Sequence, residues 1–347
     1  FSRKWVVTIS VLIFSVATMF TGMAGTFLML VVLRSIATGG GEALFGPSNY
    51  SILAQYHTDT RARAMSIHQT AYYIGVIASG FLAGLIADKM GWQYSFLIFG
   101  AAGVLFTFVL LLRLRDKSPA QQKTETTQSA KPSFFEAMAA IFKVPTAVCM
   151  IFGFTSLIFV LTGYLTWMPK CLMETFNLSA ASAGFNSMFW THAAAFVGVL
   201  VAGSLSDKLA ASKGGGKNRL ILQAGGLLLA APCIVLMGLS KEIWVVYAAL
   251  AGFGFFRAFF DANTYSILYD VISERYHSSS SAVLQMFGFG MGSLAPLILG
   301  LMSPKLGLSG GIATLSVIWV VAGVVLLVAK FCFFDKDAAK LKEQQQG

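Results

Sequence analysis

Apolar runs of about 20 residues recur along the whole chain, and short polar stretches separate them. A run of that length crosses roughly 30 Å of hydrocarbon as an α-helix, so the pattern predicts an all-α polytopic membrane protein. The sequence does not show the alternation of apolar and polar residues that marks the strands of a membrane barrel. Ten transmembrane spans are predicted, at about residues 5–22, 26–55, 62–87, 91–112, 145–176, 182–205, 220–239, 243–272, 280–303 and 309–334.

One polar segment divides these spans into two groups. It contains SPAQQKTETTQSAKPS, which is too polar to pack a core. It ends in PSFFEAMAAIF, which we expect to form a short amphipathic helix on the membrane surface. The predicted organisation is the last four helices of an N-terminal bundle, a cytoplasmic linker, a C-terminal six-helix bundle and a cytoplasmic tail, at residues 1–114, 115–142, 143–334 and 335–347.

The two bundles repeat each other in sequence. The segment RSIATGGGEALFGPSNYSIL, residues 34–53, returns as RAFFDANTYSIL, residues 257–268, and their shared Tyr-Ser-Ile-Leu places Glu42 opposite Arg257. The offset of about 215 residues spans six helices, so both copies have the same orientation in the membrane. When the offset is increased by one residue, two further pairs align, Gln69 with Gln285 and Gly91 with Gly307. Two helices of the second bundle have no counterpart, so we expect this chain to hold ten helices of a twelve-helix parent with pseudo-twofold symmetry.

The distribution of charge agrees with this topology. Only 12% of the residues are charged, against about 25% in soluble proteins, and the net charge is +10. In the predicted layout 19 of the 25 lysines and arginines lie on one side of the membrane. That is the bias of cytoplasmic loops, so both ends of the chain are expected to be cytoplasmic, and no nucleic-acid partner is needed to explain the charge. The four cysteines lack the spacing of a disulfide or zinc framework, and neither a metal nor a cofactor is expected.

Several motifs resemble those of the major facilitator superfamily of secondary transporters. GSLSDKLAASKGGGKNR, residues 203–219, resembles the family's G-x-L-x-D-[RK] loop, and FSRKW resembles the last residues of the same loop in the other half. LRSIATGGGEA resembles the R-x-x-x-G motif of the family's fourth helix, and RARAM is typical of the start of the next span. The order of Gly-Glu-Ala, then Pro, then R-[AT]-R is similar to the pattern in two groups of the superfamily, the organic anion:cation symporters and the spinster-like transporters.

The resemblance implies a major-facilitator-type helical bundle that moves a small organic anion, such as a sugar acid, by alternating access. Transport is expected to be coupled to a gradient of H⁺ or Na⁺, in a monomer embedded in the lipid bilayer of the plasma (bacterial inner) membrane. A neutral sugar or lipid-like substrate stays open, and so does drug/proton antiport, although the antiporter signature lacks its proline here. An enzyme is not expected, because no Walker A, HExxH or GxSxG motif occurs. A membrane-embedded enzyme and a transporter-like receptor are the remote alternatives.

Two charged residues inside the second span are candidates for ion coupling. A charge at the bilayer centre is costly unless it faces a partner or a water-filled cavity. Arg34 and Glu42 lie two helical turns apart, within about 80° of one another around an α-helix. Glu42 is predicted to be the carboxylate that responds to a proton or cation, with Arg34 holding it ionised or taking part in coupling. A fixed ion pair between helices is the structural alternative.

Arg257 is the candidate anchor for an anionic substrate. It occupies the position of Glu42 in its own half, near mid-membrane, where substrates bind in this architecture. Its planar guanidinium can donate two parallel hydrogen bonds to a carboxylate. A neutralising pair with Asp261 or Glu42 is the alternative. Asn263 and Tyr265 continue the polar run and are candidates for reading substrate hydroxyl groups.

Further candidates are polar or aromatic side chains within the spans. Tyr164 and Trp167 precede Pro169, which is predicted to end or kink their helix, and they can form an aromatic wall for a sugar ring. The remaining substrate-binding candidates are Asp261, one turn from Arg257 on the same helix face, and His68, Gln69, Tyr72, Gln285 and His192.

Two features are assigned to packing and gating. Gly80 and Gly84 are spaced four residues apart, which lets two membrane helices approach closely. The resemblance of the loop at residues 203–219 implies a cytoplasmic gate, whose members are Asp207, Lys208, Arg219, Arg3 and Lys4.

Overall fold

The computed structural model describes residues 3–42, 45, 49, 52, 53, 56, 61–114, 133–212 and 215–346. All regular secondary structure in these ranges is helical, as the apolar runs predict. Eight segments of the described chain are long and apolar enough to cross a membrane, and the last of them, Ser279–Glu343, contains the last two predicted spans. A shorter apolar helix covers Phe27–Gly41. The chain is an integral, multi-pass membrane protein of the all-α class.

The chain divides into two compact units. The first comprises Phe1–Ser129 with Ser179–Phe185, and the second comprises Ala130–Leu178 with Asn186–Gly347. Residues 179–185, which the sequence assigns to the second bundle, therefore group with the first unit.

The helices of the first unit pack through small residues. Its elements are α1 (Arg3–Thr21), α2 (Phe27–Ser35), the π-helix π1 (Ile36–Glu42), α3 (Arg61–Met90) and α4 (Trp92–Arg113). The hydroxyl of Thr26 accepts a backbone N–H from the first turn of α2 at 3.2 Å and so caps that helix. Gly100 of α4 lies against the backbone of Met19, and Gly41 lies against Phe14, at distances that leave no room for a Cβ atom.

The second unit has more helices and a larger buried core. Its elements are α5 (Phe134–Phe142), α6 (Pro145–Phe176), α7 (Ala180–Ala210), α8 (Asn218–Leu239), α9 (Ile243–Asp261), α10 (Thr264–Val271), α11 (His277–Gly292), α12 (Ala295–Val328), the π-helix π2 (Ala329–Phe333) and α13 (Phe334–Gln346). Two short 3₁₀ turns, Gly215–Lys217 and Glu274–Tyr276, precede α8 and α11. The first residues of α7 belong to the first unit, as stated above.

A stack of aromatic rings fills the interior of the second unit. Trp319, Phe253 and Tyr164 are fully buried. The ring of Phe253 lies 4.9 Å from that of Trp319 and 5.1 Å from that of Tyr164, measured between centroids. The indole N–H of Trp319 donates to the carbonyl of Ser156 at 3.1 Å, so its polar edge is satisfied inside the core.

The observed helices follow most of the predicted spans. The fifth predicted span coincides with α6, and the helix does not end at Pro169 as proline led us to expect. The eighth predicted span, 243–272, is divided into α9 and α10 by a break at Ala262 and Asn263. The predicted surface helix is present as α5, with Ile141 fully buried and Phe135 73% exposed, so its two faces differ as an amphipathic helix requires.

Two glycines that the repeat aligns also share a backbone conformation. Gly91, just before α4, has φ +100°, and Gly307, inside α12, has φ +68°. Both values lie in the region that L-residues with a Cβ atom avoid. Gly307 separates two helical parts of α12, at the predicted gap between the last two spans. The same turn therefore occurs at the corresponding point of both halves, which supports the duplication read from the sequence.

Asp88 connects the end of α3 to the start of α7. Its two carboxylate oxygens accept the backbone N–H groups of Ala180 and Ala181 at 3.0 and 2.9 Å. These N–H groups have no partner within α7, so Asp88 caps that helix from a neighbouring one. Gly84 lies directly against the same two residues, and Gly80 lies against the next turn, which confirms that this glycine pair allows close helix approach.

We predict that Gly307→Ala destabilises the protein by about 1–3 kcal/mol, because a residue with a Cβ atom is strained at φ +68° and ψ 167°. The corresponding loss in melting temperature, roughly 2–4 °C per kcal/mol, can be measured by tryptophan fluorescence in detergent. Gly225→Ala is the matched control, since Gly225 is helical and nothing lies within 4 Å of an added Cβ. That control should leave stability unchanged or raise it slightly. Equal melting temperatures for Gly307→Ala and Gly225→Ala would contradict the strain expected at Gly307.

We also predict that Asp88→Ala lowers stability by about 1 kcal/mol, because two N–H groups of α7 lose their acceptor. Asp88→Asn keeps one acceptor oxygen and should lose less stability than Asp88→Ala. The stability that Asp88→Asn does lose would include the effect of removing the carboxylate charge from the N-terminus of α7. Both variants are compared with the wild type by melting temperature. A melting temperature for Asp88→Ala equal to that of the wild type would rule out a stabilising cap by Asp88.

Candidate functional site

Arg257 is a charged residue in the interior of the second unit. It lies on α9 and is only 6% exposed. Its Nη1 atom is 3.3 Å from a carboxylate oxygen of Asp261, one turn further along the helix, where 31% of the aspartate side chain is exposed. Its Nε atom is buried and has no hydrogen-bond partner among the described residues. The predicted pair of Arg257 and Asp261 therefore exists, and it leaves part of the guanidinium unsatisfied.

Tyr164 on α6 and His192 on α7 are two further candidate residues that are buried in this unit. The hydroxyl of Tyr164 donates to the carbonyl of Ser187 on α7 and lies 2.8 Å from the hydroxyl of Thr191. The Nδ1 atom of His192 lies 2.9 Å from the carbonyl of Met188, one turn earlier. Tyr164 is fully buried, so it belongs to the core of the unit and does not present the open aromatic wall that we predicted.

Asn263 has hydrogen bonds within the protein. It is fully buried at the break between α9 and α10, where it accepts a hydrogen bond from Ser206 and donates one to the carbonyl of Phe259 at 2.8 Å. Both ends of its amide are therefore engaged in joining α7 to the broken helix. This arrangement favours a packing role for Asn263 over the predicted contact with substrate hydroxyls.

Tyr265 and Gln285 are brought together although they lie 20 residues apart. The amide nitrogen of Gln285 on α11 donates to the hydroxyl of Tyr265 on α10 at 3.1 Å. Tyr265 is 37% exposed and Gln285 is also exposed, so this pair remains accessible. Trp167 is half-buried on α6, and its indole N–H donates to the carbonyl of Pro296 at 2.9 Å.

In the first unit, Arg34 lies against an aromatic ring. Its guanidinium carbon is 5.8 Å from the centroid of Phe96, the range of a cation–π contact. The residues that separate it from Glu42 form π1, whose i→i+5 turn takes about one residue more than an α-turn. The side chain of Glu42 lies outside the described residues.

His68 has a partner that the sequence did not indicate. Its Nε2 atom lies 2.7 Å from the side-chain nitrogen of Asn49, a residue of the repeated segment itself. Tyr72, one turn further along α3, is 57% exposed. The side chain of Gln69 lies outside the described residues.

Of the predicted gate residues, Arg219 forms an ion pair with a residue outside the predicted set. Arg219 at the start of α8 bonds Asp270 of α10, with Nη1 3.3 Å from a carboxylate oxygen, and not Asp207. Lys217 bonds Asp335 at 2.8 Å. Asp207 and Lys208 are both exposed at the end of α7. Arg219 therefore joins α8 to α10, and the gate role of Asp207, Lys208 and Arg219 stays a prediction.

The remaining gate candidates, Arg3 and Lys4, begin α1. The side chain of Arg3 lies outside the described residues. Asp270 is not among the predicted site residues, because in the sequence it is only a carboxylate near the end of a predicted span. Asp270 acquires its partner only when α10 folds back against α8.

A model of the Major Facilitator Superfamily matches residues 1–296 of this chain. Three curated relatives show the level of similarity. The first is a probable L-galactonate transporter of Escherichia coli strain K12, 24% identical over 81% of this chain and 64% of its own length. The second is a hexuronate transporter of Bacillus subtilis strain 168, 22% identical over 95% of this chain and 81% of its own. The third is an MFS-type efflux pump of Mycolicibacterium smegmatis, 24% identical over 89% and 71%. The chain thus spans less than two thirds of the length of the first of these relatives.

The fold is similar to that of a solved transporter. A bacterial homologue of the human lysosomal transporter Spinster, in an inward-facing and unoccupied conformation, superposes with a TM-score of 0.78 at 20% identity. The match covers 97% of this chain and 84% of the solved one.

Proposed function

This chain belongs to the Major Facilitator Superfamily, and from that premise we propose that it moves a small organic anion, of the sugar-acid type, across a membrane by alternating access. The observation that carries the proposal is the state of Arg257. Its guanidinium is buried, and its Nε atom lacks a partner among the described residues.

The chemistry of this group favours a carboxylate ligand. A buried donor without a partner costs roughly 1–3 kcal/mol, which an acceptor on a ligand would recover. Asp261 bonds one side of the guanidinium and neutralises part of its charge. A planar carboxylate on the other side can accept two parallel hydrogen bonds, which a hydroxyl group cannot do. The Tyr265–Gln285 pair, accessible and polar, is the candidate for the hydroxyl groups of the same substrate.

The names of two relatives agree with this chemistry. Galactonate and hexuronates are sugar acids, and the relatives named for them align with most of this chain at 22–24% identity. The efflux pump at similar identity is the reason to test a drug substrate as well.

We assign ion coupling to the first unit. Arg34 stacks on Phe96, and Glu42 follows it across the π-helix. A π-turn inside a transmembrane helix exposes carbonyl groups and is frequent at functional sites. Glu42 is proposed to take up H⁺ or Na⁺, with both ends of the chain on the cytoplasmic side of the plasma membrane.

The anion-anchor role predicts that Arg257→Lys and Arg257→Ala both weaken uptake. Loss of the bidentate contact should raise KM about tenfold or more, since a hydrogen bond to a charged group contributes roughly 1.5–3 kcal/mol. Uptake of sugar acids, neutral sugars and cationic drugs is measured in proteoliposomes with the purified chain. Arg113→Ala, an exposed arginine at the end of α4, is the control.

Arg257→Lys keeps the positive charge beside Asp261, so it separates recognition from a loss of folding. Unchanged KM values in both variants would reject the anchor. Equal uptake of neutral sugars and sugar acids by the wild type would reject the anionic substrate.

The coupling role predicts that Glu42→Gln abolishes accumulation against a gradient while exchange of substrate across the membrane continues, because the carboxylate can no longer bind and release a cation. The two activities are measured separately, as gradient-driven uptake and as counterflow. Glu174→Gln is the control, an exposed carboxylate in a surface pair with Lys170. Full accumulation by Glu42→Gln under an imposed proton or sodium gradient would exclude Glu42 from coupling.

A further inference from the structure

The second unit contains a cavity that Arg257 does not line. It has a volume of about 580 Å³ and lies where α5, α13 and the turn after α10 meet. Its apolar wall consists of alanine, valine, isoleucine and leucine side chains. Its polar wall consists of Glu136, Lys143, Ser273, Tyr276, Asp337 and Lys340. A volume of this size suits a small ligand or the headgroup of a lipid.

The two carboxylates of the cavity are already engaged. One oxygen of Glu136 lies 3.3 Å from the guanidinium of Arg275 and accepts the hydroxyl of Tyr276 at 3.0 Å. The hydrogen bond to Glu136 raises the pKa of Tyr276, which keeps that hydroxyl protonated and donating. Asp337 is buried and accepts the backbone N–H of Thr146, at the positive N-terminal end of α6, at 2.9 Å.

The two lysines of the cavity are not engaged in this way. Lys143 follows α5 and Lys340 lies on α13, far apart in sequence but on one cavity. Neither ammonium has an ion pair or hydrogen bond to another described residue. Asp337 keeps its charge, but Arg275 offsets that of Glu136, so Lys143, Lys340 and Arg275 outnumber the two carboxylates and the formal charge around the cavity is +1. The hydroxyl of Ser273 adds a donor on the wall between them.

We propose that this cavity binds a phosphate group, with Lys143 and Lys340 as its two cationic contacts. Two ammonium groups match the charge of a phosphate and can each donate to its oxygens. The site does not involve Arg257 or Glu42, so it goes beyond the proposed transport of an anion.

The position of the cavity favours the headgroup of an anionic phospholipid over a free phosphate compound as the source of that group. The amphipathic helix α5 forms one wall, and it exposes Phe135 and Phe142 to 73% and 45%. Such a helix lies at the boundary between the headgroups and the acyl chains. Polybasic positions at that boundary attract anionic lipids by about 1 kcal/mol for each lysine or arginine. A bound headgroup would join α5, α13 and the turn after α10.

The full chain in detergent is the material for the test. After removal of co-purified lipid, native mass spectrometry measures binding of phosphatidylglycerol and of zwitterionic phosphatidylcholine. In parallel, the melting temperature is recorded with inorganic phosphate and with glycerol 3-phosphate. We expect one phosphatidylglycerol per chain in preference to phosphatidylcholine, and an affinity at least about tenfold lower for the double variant Lys143→Ala/Lys340→Ala.

Two further variants make the result specific. Lys342→Ala removes a lysine of the same helix that does not line the cavity, and it should bind like the wild type. Lys143→Arg/Lys340→Arg keeps both charges and should retain binding, which separates recognition from damage to the fold. Stabilisation by the soluble phosphates that depends on both lysines, with no selective lipid binding, would support the phosphate site and assign it a soluble ligand. The proposal would be overturned if every probe bound the wild type and Lys143→Ala/Lys340→Ala equally well.

Discussion

Polar groups buried in these helical bundles must find partners inside the protein, because hydrocarbon offers none. The second unit meets this constraint almost everywhere. The indole of Trp319 donates to a backbone carbonyl, the hydroxyl of Tyr164 bonds α7, and the amide of Asn263 bonds both α7 and its own helix. Four buried side-chain atoms of the described part of this unit have no partner, on Thr146, Arg219, Gln223 and Arg257, and the Nε atom of Arg257 is one of them. The proposed substrate carboxylate would supply the acceptor that the Nε atom of Arg257 lacks.

The constraint also explains why helices approach so closely. In an apolar solvent, helix association depends on van der Waals contact and interhelical hydrogen bonds rather than on hydrophobic burial. Gly84 brings α3 against the first turn of α7, and Asp88 then reaches that turn's free N–H groups. Close packing and capping therefore act together at one point. Arg219 and Asp270 provide a corresponding link between α8 and α10.

The sequence predicted the fold more fully than the site. Span positions depend on local apolar length, and the duplication was visible in an offset that also aligned Gly91 with Gly307. Both glycines have a positive φ, which the absence of a Cβ atom allows, and glycine is identified directly in the sequence. The sites were predicted less well, because burial and pairing depend on neighbouring helices. Tyr164 was expected to face a substrate and is enclosed, while Asp270 was overlooked and pairs with Arg219.

The sequence by itself determined the helical membrane class, the order of the spans and the presence of charges within them, since these follow from composition and periodicity along one segment. Only the tertiary structure decided which polar groups are satisfied. It left Arg257 incompletely paired, placed a π-turn between Arg34 and Glu42, and brought Lys143 and Lys340 to one cavity. The physical reason is that a hydrogen bond or an ion pair is fixed by distances of about 3 Å between side chains on different helices, and no pattern within one helix encodes such a distance.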